Sequence, residues 1–144
     1  MNFSSLLKAP VLLLGFSLIG FVDATYLTVS HFTGANLPCR LFDGCDLVTT
    51  STYSTIGPIP VAVLGVLFYL SVFVLALAYL LYQNPRIPQL LLVIGSLGFL
   101  ATLYFVSLQL WVIKAICLYC MISAVLSTAI FLTTLYNKRK AQAV

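Results

Sequence analysis

Four long apolar runs dominate the sequence and constrain its fold more than any other feature. They cover approximately residues 10–30, 59–82, 89–113 and 115–136. The length of each run is similar to that of a helix that crosses a bilayer, about 20 residues. Only 7% of the residues are charged, against about a quarter in a soluble domain, which excludes a water-soluble globule. We therefore predict an all-α membrane protein, a bundle of four transmembrane helices that forms one domain over residues 1–144.

The longest polar stretch, residues 31–58, separates the first two apolar runs. We predict that it forms the one large loop of the fold, at one end of the bundle. The second and third runs are joined by residues 83–88, where two prolines favour a turn over a helix interior. Lys8 and the apolar stretch after it resemble a signal peptide. The apolar pattern continues through Val29, which favours a retained helix.

Lysine and arginine side chains are distributed unevenly between the two ends of the predicted bundle. The end that holds both termini and the short turn carries Lys8, Arg86, Lys138, Arg139 and Lys140. The other end carries only Arg40 and Lys114. Because basic flanks stay in the cytoplasm, this pattern predicts cytoplasmic termini and an extracytoplasmic loop, as in a bacterial inner membrane. The charges are too few and too scattered to indicate a nucleic-acid partner. Membrane topology or attraction to anionic lipid explains the basic tail better.

All four cysteines are therefore expected at the extracytoplasmic end, in a compartment that permits disulfides. Cys117 and Cys120 form a C-x-x-C motif, predicted in the first turns of the fourth helix, where both sulfurs share one face. The N–H groups and dipole at a helix start stabilise a thiolate, and Lys114 is expected to add to this. A stabilised thiolate is a good leaving group, as a catalytic disulfide requires. The alternative is that both are small apolar packing residues.

Cys39 and Cys45 lie in the polar stretch and are close enough along the chain to form a disulfide, with Gly44 relaxing the backbone. A purely structural disulfide is one interpretation of this pair. Two pairs at different depths favour a relay instead. The loop pair would meet a water-soluble protein, and the helix pair would meet something dissolved in lipid. The sequence thus predicts a thiol–disulfide oxidoreductase over a non-catalytic scaffold with structural disulfides.

The residues also constrain the electron acceptor. No histidine follows the C-x-x-C, which excludes attachment of a c-type haem. Zinc bound by all four cysteines would need unusual spacing at a membrane boundary, and no G-x-G-x-x-G fingerprint for a dinucleotide occurs. An oxidising thioredoxin-fold partner has a reduction potential of about −120 mV. Its reoxidation therefore needs an acceptor inside the membrane whose reduction potential is more positive. A quinone meets this demand, and no metal is expected.

The order of these features resembles the vitamin K epoxide reductase (VKOR) family in its bacterial form, over almost the whole chain. In chain order the matching features are Tyr26, Leu27 and His31, Cys39-x5-Cys45, Ser51, Tyr53, the Gly57-Pro58-Ile59-Pro60 segment, Gly65 and the final C-x-x-C. The other quinone-linked four-helix family, of the DsbB type, carries its C-x-x-C in the first external loop. This sequence lacks that arrangement.

The resemblance implies a four-helix bundle around a quinone of the ubiquinone or menaquinone (vitamin K) type. It also implies that the extracytoplasmic loop, with a short helix, caps the active site. It implies that Cys39 forms the mixed disulfide with a thioredoxin-fold (DsbA-like) partner and that Cys45 then attacks Cys117. Cys120 would lie nearest the quinone, and Ser51 would lie in the capping segment near the pocket. The alternative for Ser51 is a helix N-cap.

Two departures from the family pattern affect the expected substrate and partner. Few residues follow Asn137, so the thioredoxin-fold partner is expected to be a separate protein that supports disulfide bond formation. The animal enzymes carry a tyrosine four residues after the C-x-x-C, where this sequence has Ala124. Plain quinone reduction is therefore favoured over vitamin K epoxide reduction, which stays as an alternative.

Two polar side chains within the apolar runs are further candidates. Asp23 should face the bundle or a polar cavity, because a charge at the bilayer centre costs about 2.5–3.5 kcal/mol. Proton supply to the quinone is one role for it, and packing with a hydrogen-bonded partner is favoured. Gln109, near the external end of the third helix, is a candidate lining residue of the quinone pocket, with interhelical bonding as the alternative.

Overall fold

The computed structural model describes residues 3–39 and 44–142. The helices of this part are α1 (Phe3–Thr33), α2 (Cys45–Thr49), α3 (Val61–Tyr82), α4 (Ile87–Ser107) and α5 (Leu118–Gln142). Its other elements are a 3-10 turn (Thr52–Ser54), the strands β1 (Thr55–Ile56) and β2 (Ile59–Pro60), and a π-helical segment (Leu108–Ile113) that continues α4. Four helices of the described residues, α1, α3, α5 and α4 with its π-helical segment, are long and apolar enough to cross a membrane. The predicted four-helix membrane bundle is confirmed.

The four long helices form a ring in which each contacts two neighbours. Helix α1 packs against α3 and α5, and α4 packs against the same two helices. Fully buried side chains from all four helices fill the centre, among them Leu13, Val72, Leu91 and Ile130. Most other large apolar side chains of these helices are exposed. An apolar exterior around a small core is what a bundle surrounded by lipid requires.

Tyr69 fixes the contact of α3 with both α1 and α5. Its ring is 1% exposed and rests on Gly20, where an added Cβ would lie 2.2 Å from Cε1 of the ring. Its hydroxyl lies 2.8 Å from both the carbonyl oxygen and Oγ of Ser123 in α5. A glycine at the interface lets the helices approach closely, as is common in membranes.

Three helix starts differ from the expected positions for local reasons. Helix α3 begins at Val61 rather than at 59, because Ile59–Pro60 pairs as a strand with Thr55–Ile56. Helix α4 begins at Ile87, two residues early, with proline in its first turn, where the missing N–H has no helical partner to lose. Helix α5 begins three residues late, because Lys114 adopts a left-handed conformation at φ 54° and ends the preceding helical segment.

Residues 34–39 and 44–60 cover one end of the bundle. Helix α2 is the short helix expected there, and Asp46 Oδ1 accepts a hydrogen bond of 3.3 Å from the Leu37 N–H. The expected position of Arg40 on this side of the membrane concerns a residue outside the described part. We call the described residues of this segment the cap.

Candidate active site

The four cysteines lie in one apolar cluster where the cap meets α5. Cys45 and Cys117 form its buried centre, at 1% and 0% exposure. Cys39 and Cys120 are partly buried and pack against that centre. The two pairs, distant in sequence, are therefore brought together as the relay hypothesis requires.

The loop pair is oxidised and the helix pair is reduced. Cys39 and Cys45 form a disulfide with a Cα–Cα distance of 6.2 Å, whereas Cys117 and Cys120 are free thiols. The Cys39 N–H donates to the Leu37 carbonyl at 2.8 Å, and Cys45 begins α2. The residues between them, 40–43, lie outside the described part.

Gly44 allows the cap to touch the backbone that precedes α5. A Cβ added at Gly44 would lie 2.7 Å from the carbonyl oxygen and 2.8 Å from the nitrogen of Ile116. No side chain fits between two backbones at this separation. Because Cys45 follows Gly44 and Cys117 follows Ile116, the close approach sets one cysteine of each pair at the same junction.

Cys117 occupies the N-cap position of α5 instead of lying within its first turn as expected. Its carbonyl accepts the Met121 N–H at 3.0 Å, and its Sγ accepts the Cys120 N–H at 3.4 Å, the bonds that an N-cap residue makes. Its own N–H donates to Gln109 Oε1 at 3.1 Å. The sulfur thus lies at the positive end of α5.

This environment favours the thiolate of Cys117. Hydrogen bonds from the Cys120 thiol and from the N–H groups of Cys120 and Tyr119 lower the pKa of Cys117, although burial and the charge of Asp23 act in the opposite direction. Lys114, expected to contribute, is exposed, and hydrogen bonds rather than its charge cause the lowering.

A cavity of about 690 Å³ lies between the four long helices and the cap. Its wall is mostly apolar and includes Leu27, Gly65, Phe68 and Ala101. Of the four cysteines, which all lie in the described part, only Cys120 lines it. The helix pair therefore has one sulfur toward the cavity and the other, Cys117, in the buried centre shared with Cys45.

Ser51 and Gln109 both line this cavity, and only Gln109 also makes a bond of the kind considered as its alternative. Ser51 is the N-cap residue of the 3-10 turn, although its Oγ donates to the Val48 carbonyl at 2.7 Å instead of capping. Gln109 is 3% exposed and bonds the segment before α5. His31, one of the residues that match the family pattern, is exposed and also lines the cavity.

Asp23 is 9% exposed and faces the bundle interior. Within the described residues its Oδ2 has no hydrogen-bond partner, so the hydrogen-bonded packing expected for it is not found at this oxygen. Its charge acts on Cys117, which brings it into the electrostatic environment of the site.

Sequence reasoning missed several other polar wall residues, of which Ser123 and Ser127 lie on α5. Their positions three and seven residues after Cys120 share its helical face, and this spacing was the available signal. The uniformly apolar helices gave no second indication of which face is internal.

Comparison with known proteins adds one finding. The sequence model of the vitamin K epoxide reductase family matches residues 11–135, which include all four cysteines, the whole of α3 and α4, and most of α1 and α5. No curated protein matches the chain.

Proposed function

The chain belongs to the vitamin K epoxide reductase family, and from this premise we propose that it oxidises a thioredoxin-fold protein and reduces a membrane quinone. Membership indicates a membrane oxidoreductase that acts on thiols and disulfides. The observation that carries the proposal is the position of the cysteines. Both pairs share one cluster, but only Cys120 lines the large apolar cavity.

Electrons enter at Cys39. Cys45 is 1% exposed, whereas Cys39 is only partly buried, so an attacking thiolate of the partner reaches Cys39. The Cys39–Cys45 bond breaks, a partner–Cys39 disulfide forms, and Cys45 leaves as a thiolate. The second partner thiol then attacks its own bridging sulfur, which releases Cys39 and leaves the partner oxidised.

The loop pair passes these electrons to the helix pair when that pair is oxidised. Cys45 attacks the sulfur of Cys117, so that a Cys45–Cys117 bond forms and Cys120 leaves as a thiolate. Cys39 then attacks Cys45, which restores the loop disulfide and releases Cys117. The hydrogen bonds that lower the pKa of Cys117 favour this second departure. The resulting state, with Cys39–Cys45 bonded and the helix thiols free, is the one seen in the structure.

The cavity suits a quinone. Ligand pockets measure about 300–1,000 Å³ and combine apolar walls with a few polar groups, and this cavity combines about 690 Å³ with the polar Ser51 and Gln109. A quinone takes up two electrons and two protons, so the net reaction oxidises one partner dithiol and yields one quinol. Cys120 would adjoin the ring, and the mostly apolar wall would disfavour water beside its thiol. A ubiquinone and a menaquinone type both meet this description.

The cap would face the extracytoplasmic side of a bacterial inner membrane, where the reaction supports disulfide bond formation. The lysine and arginine distribution supports this orientation, because the end opposite the cap carries Arg86 and Lys138–Lys140. A scaffold with two structural disulfides is disfavoured by the free thiols of Cys117 and Cys120.

The test uses the purified protein in lipid nanodiscs with ubiquinone-1 and a reduced DsbA-like protein. Loss of the quinone absorbance should accompany oxidation of the partner, and serine in place of any of the four cysteines should abolish turnover. Thr128→Ala, whose hydroxyl bonds back to the Ala124 carbonyl at 2.8 Å, is a control that should keep full activity. Mixed with the oxidised partner, Cys45→Ser should form a mixed disulfide on Cys39, because the Cys39 thiolate opens the partner's disulfide and one partner thiol leaves. Full turnover in Cys117→Ser or Cys120→Ser would contradict the relay.

A further inference from the structure

One face of α5 runs along the cavity from the redox pair toward the middle of the bundle. Cys120, Ala124 and Ser127 lie on this face and all line the cavity. Seven residues of helix correspond to a rise of about 10.5 Å. Ser127 therefore lies at the end of the cavity wall farther from the cap, roughly one quinone ring beyond Cys120.

The hydroxyl of Ser127 is buried without a partner. Ser127 is 4% exposed, and its Oγ makes no hydrogen bond within the described residues. Other helix hydroxyls bond back to the preceding turn, as those of Ser17, Ser96 and Thr128 do at 2.7, 2.7 and 2.8 Å. A buried hydroxyl that gives up this bond destabilises the fold, and a ligand that accepts a hydrogen bond from it would remove this cost.

The surroundings of Ser127 suit a flat conjugated ring. Gly98 of α4 and Phe68 of α3 line the cavity beside it. A Cβ added at Gly98 would lie 3.1 Å from Ser127 Oγ and 2.4 Å from Phe68 Cζ. The glycine thus leaves a space that an aromatic edge and a hydroxyl share, and aromatic walls bind ring systems by stacking or edge contacts.

We propose that Ser127 donates a hydrogen bond to the quinone carbonyl that points away from Cys120. This inference rests on the proposed quinone reduction and names a positioning residue for it. The hydroxyl would fix the depth of the ring in the cavity and hold its near edge at the Cys120 sulfur. It would also stabilise the electron density that grows on the carbonyl oxygen during reduction.

The experiment compares Ser127→Ala with wild type and with the Thr128→Ala control in nanodiscs. The affinity for ubiquinone-1 and its KM are measured, together with thermal stability without quinone and the rate at which the reduced partner reacts with the loop disulfide. We expect Ser127→Ala to bind ubiquinone-1 about fivefold more weakly, equivalent to about 1 kcal/mol. Its thermal stability should be equal or higher, because the unsatisfied hydroxyl is gone, and its reaction with the partner should be unchanged.

Two other outcomes would overturn the role of Ser127, and a third would overturn the proposed function as well. Unchanged affinity in Ser127→Ala, beside a wild type that binds quinone, overturns the role of Ser127 and leaves the proposed function intact. A parallel loss of thermal stability and affinity indicates a packing role and also overturns it. A wild type that neither binds nor reduces ubiquinone-1 or menadione overturns the proposed function and this inference with it.

Discussion

Replacing Gly44 by alanine should separate the two halves of the relay without altering either cysteine pair. The backbone at Gly44 has φ −92° and ψ −5°, a conformation that alanine adopts without strain. The only obstacle is the contact across the junction. The new Cβ would lie 2.7 Å from the Ile116 carbonyl oxygen and 2.8 Å from its nitrogen.

The size of the effect follows from this geometry. Restoring an ordinary contact of about 3.4 Å between Cβ and the Ile116 backbone requires a displacement of about 0.7 Å. Neither partner is a flexible side chain, so the whole junction must open. Cys45 and Cys117 adjoin the two touching residues, and a misplacement of about 1 Å between reacting groups can cost about 100-fold in rate. We expect transfer from the loop pair to the helix pair to slow by about 10- to 100-fold.

The assay separates the two steps by rapid mixing of the fully oxidised protein with the reduced partner. The fast phase, attack on Cys39, should match wild type, whereas the later phase and quinone reduction should slow. Gly15→Ala is the control, because a Cβ at Gly15 meets nothing within 4 Å. Wild-type transfer in Gly44→Ala would refute the view that this backbone contact aligns the pairs.

Two further predictions concern Cys117. Gln109→Met keeps the side-chain volume but removes the oxygen that accepts the buried Cys117 N–H at 3.1 Å. The free energy of unfolding should therefore fall by about 2 kcal/mol. Denaturation of this variant should be compared with that of the exposed control Leu110→Met, and equal stabilities would contradict the reasoning. Because Cys120 lowers the pKa of Cys117 and the charge of Asp23 raises it, Cys120→Ala should move upward the pH midpoint at which methyl methanethiosulfonate converts Cys117 to a methyl disulfide. Asp23→Asn should move this midpoint downward. Shifts in the same direction would disprove this electrostatic assignment.

Much of the architecture follows from the lipid surroundings that the apolar runs require. A chain with apolar runs of bilayer length must satisfy its backbone within each run, so helices are nearly forced. The exact ends are not forced in this way. Helix α1 continues from Phe3 to Thr33 and α5 to Gln142, beyond the apolar runs, because backbone hydrogen bonding does not stop where hydropathy changes. The left-handed Lys114 that delays α5 had no signal in the composition.

The sequence predicted the positions of some residues of the site and missed others. Cysteine spacing and the charge distribution were enough to assign four sulfurs to one end of the bundle, since covalent reach and topology are local properties. The cavity positions of Ser51 and Gln109 were expected beside a structural alternative for each, and both residues line the wall. Ser127 and the Tyr69–Ser123 bond were missed, because internal faces depend on how the helices are rotated, and helices that are apolar all round do not reveal this.

The contact between the backbones of Gly44 and Ile116, on which the proposed relay depends, was the feature least predictable from the sequence. Gly44 is unremarkable in a polar loop, and Ile116 is unremarkable within an apolar run; only the folded chain shows that their backbones touch. Gly44 matters through its missing side chain, which leaves room for the segment before α5. The buried sulfur of the loop disulfide thereby lies with Cys117 in the shared cluster. A relay between sulfurs needs this close approach more than it needs any particular side chain, since each exchange passes through a direct sulfur–sulfur bond.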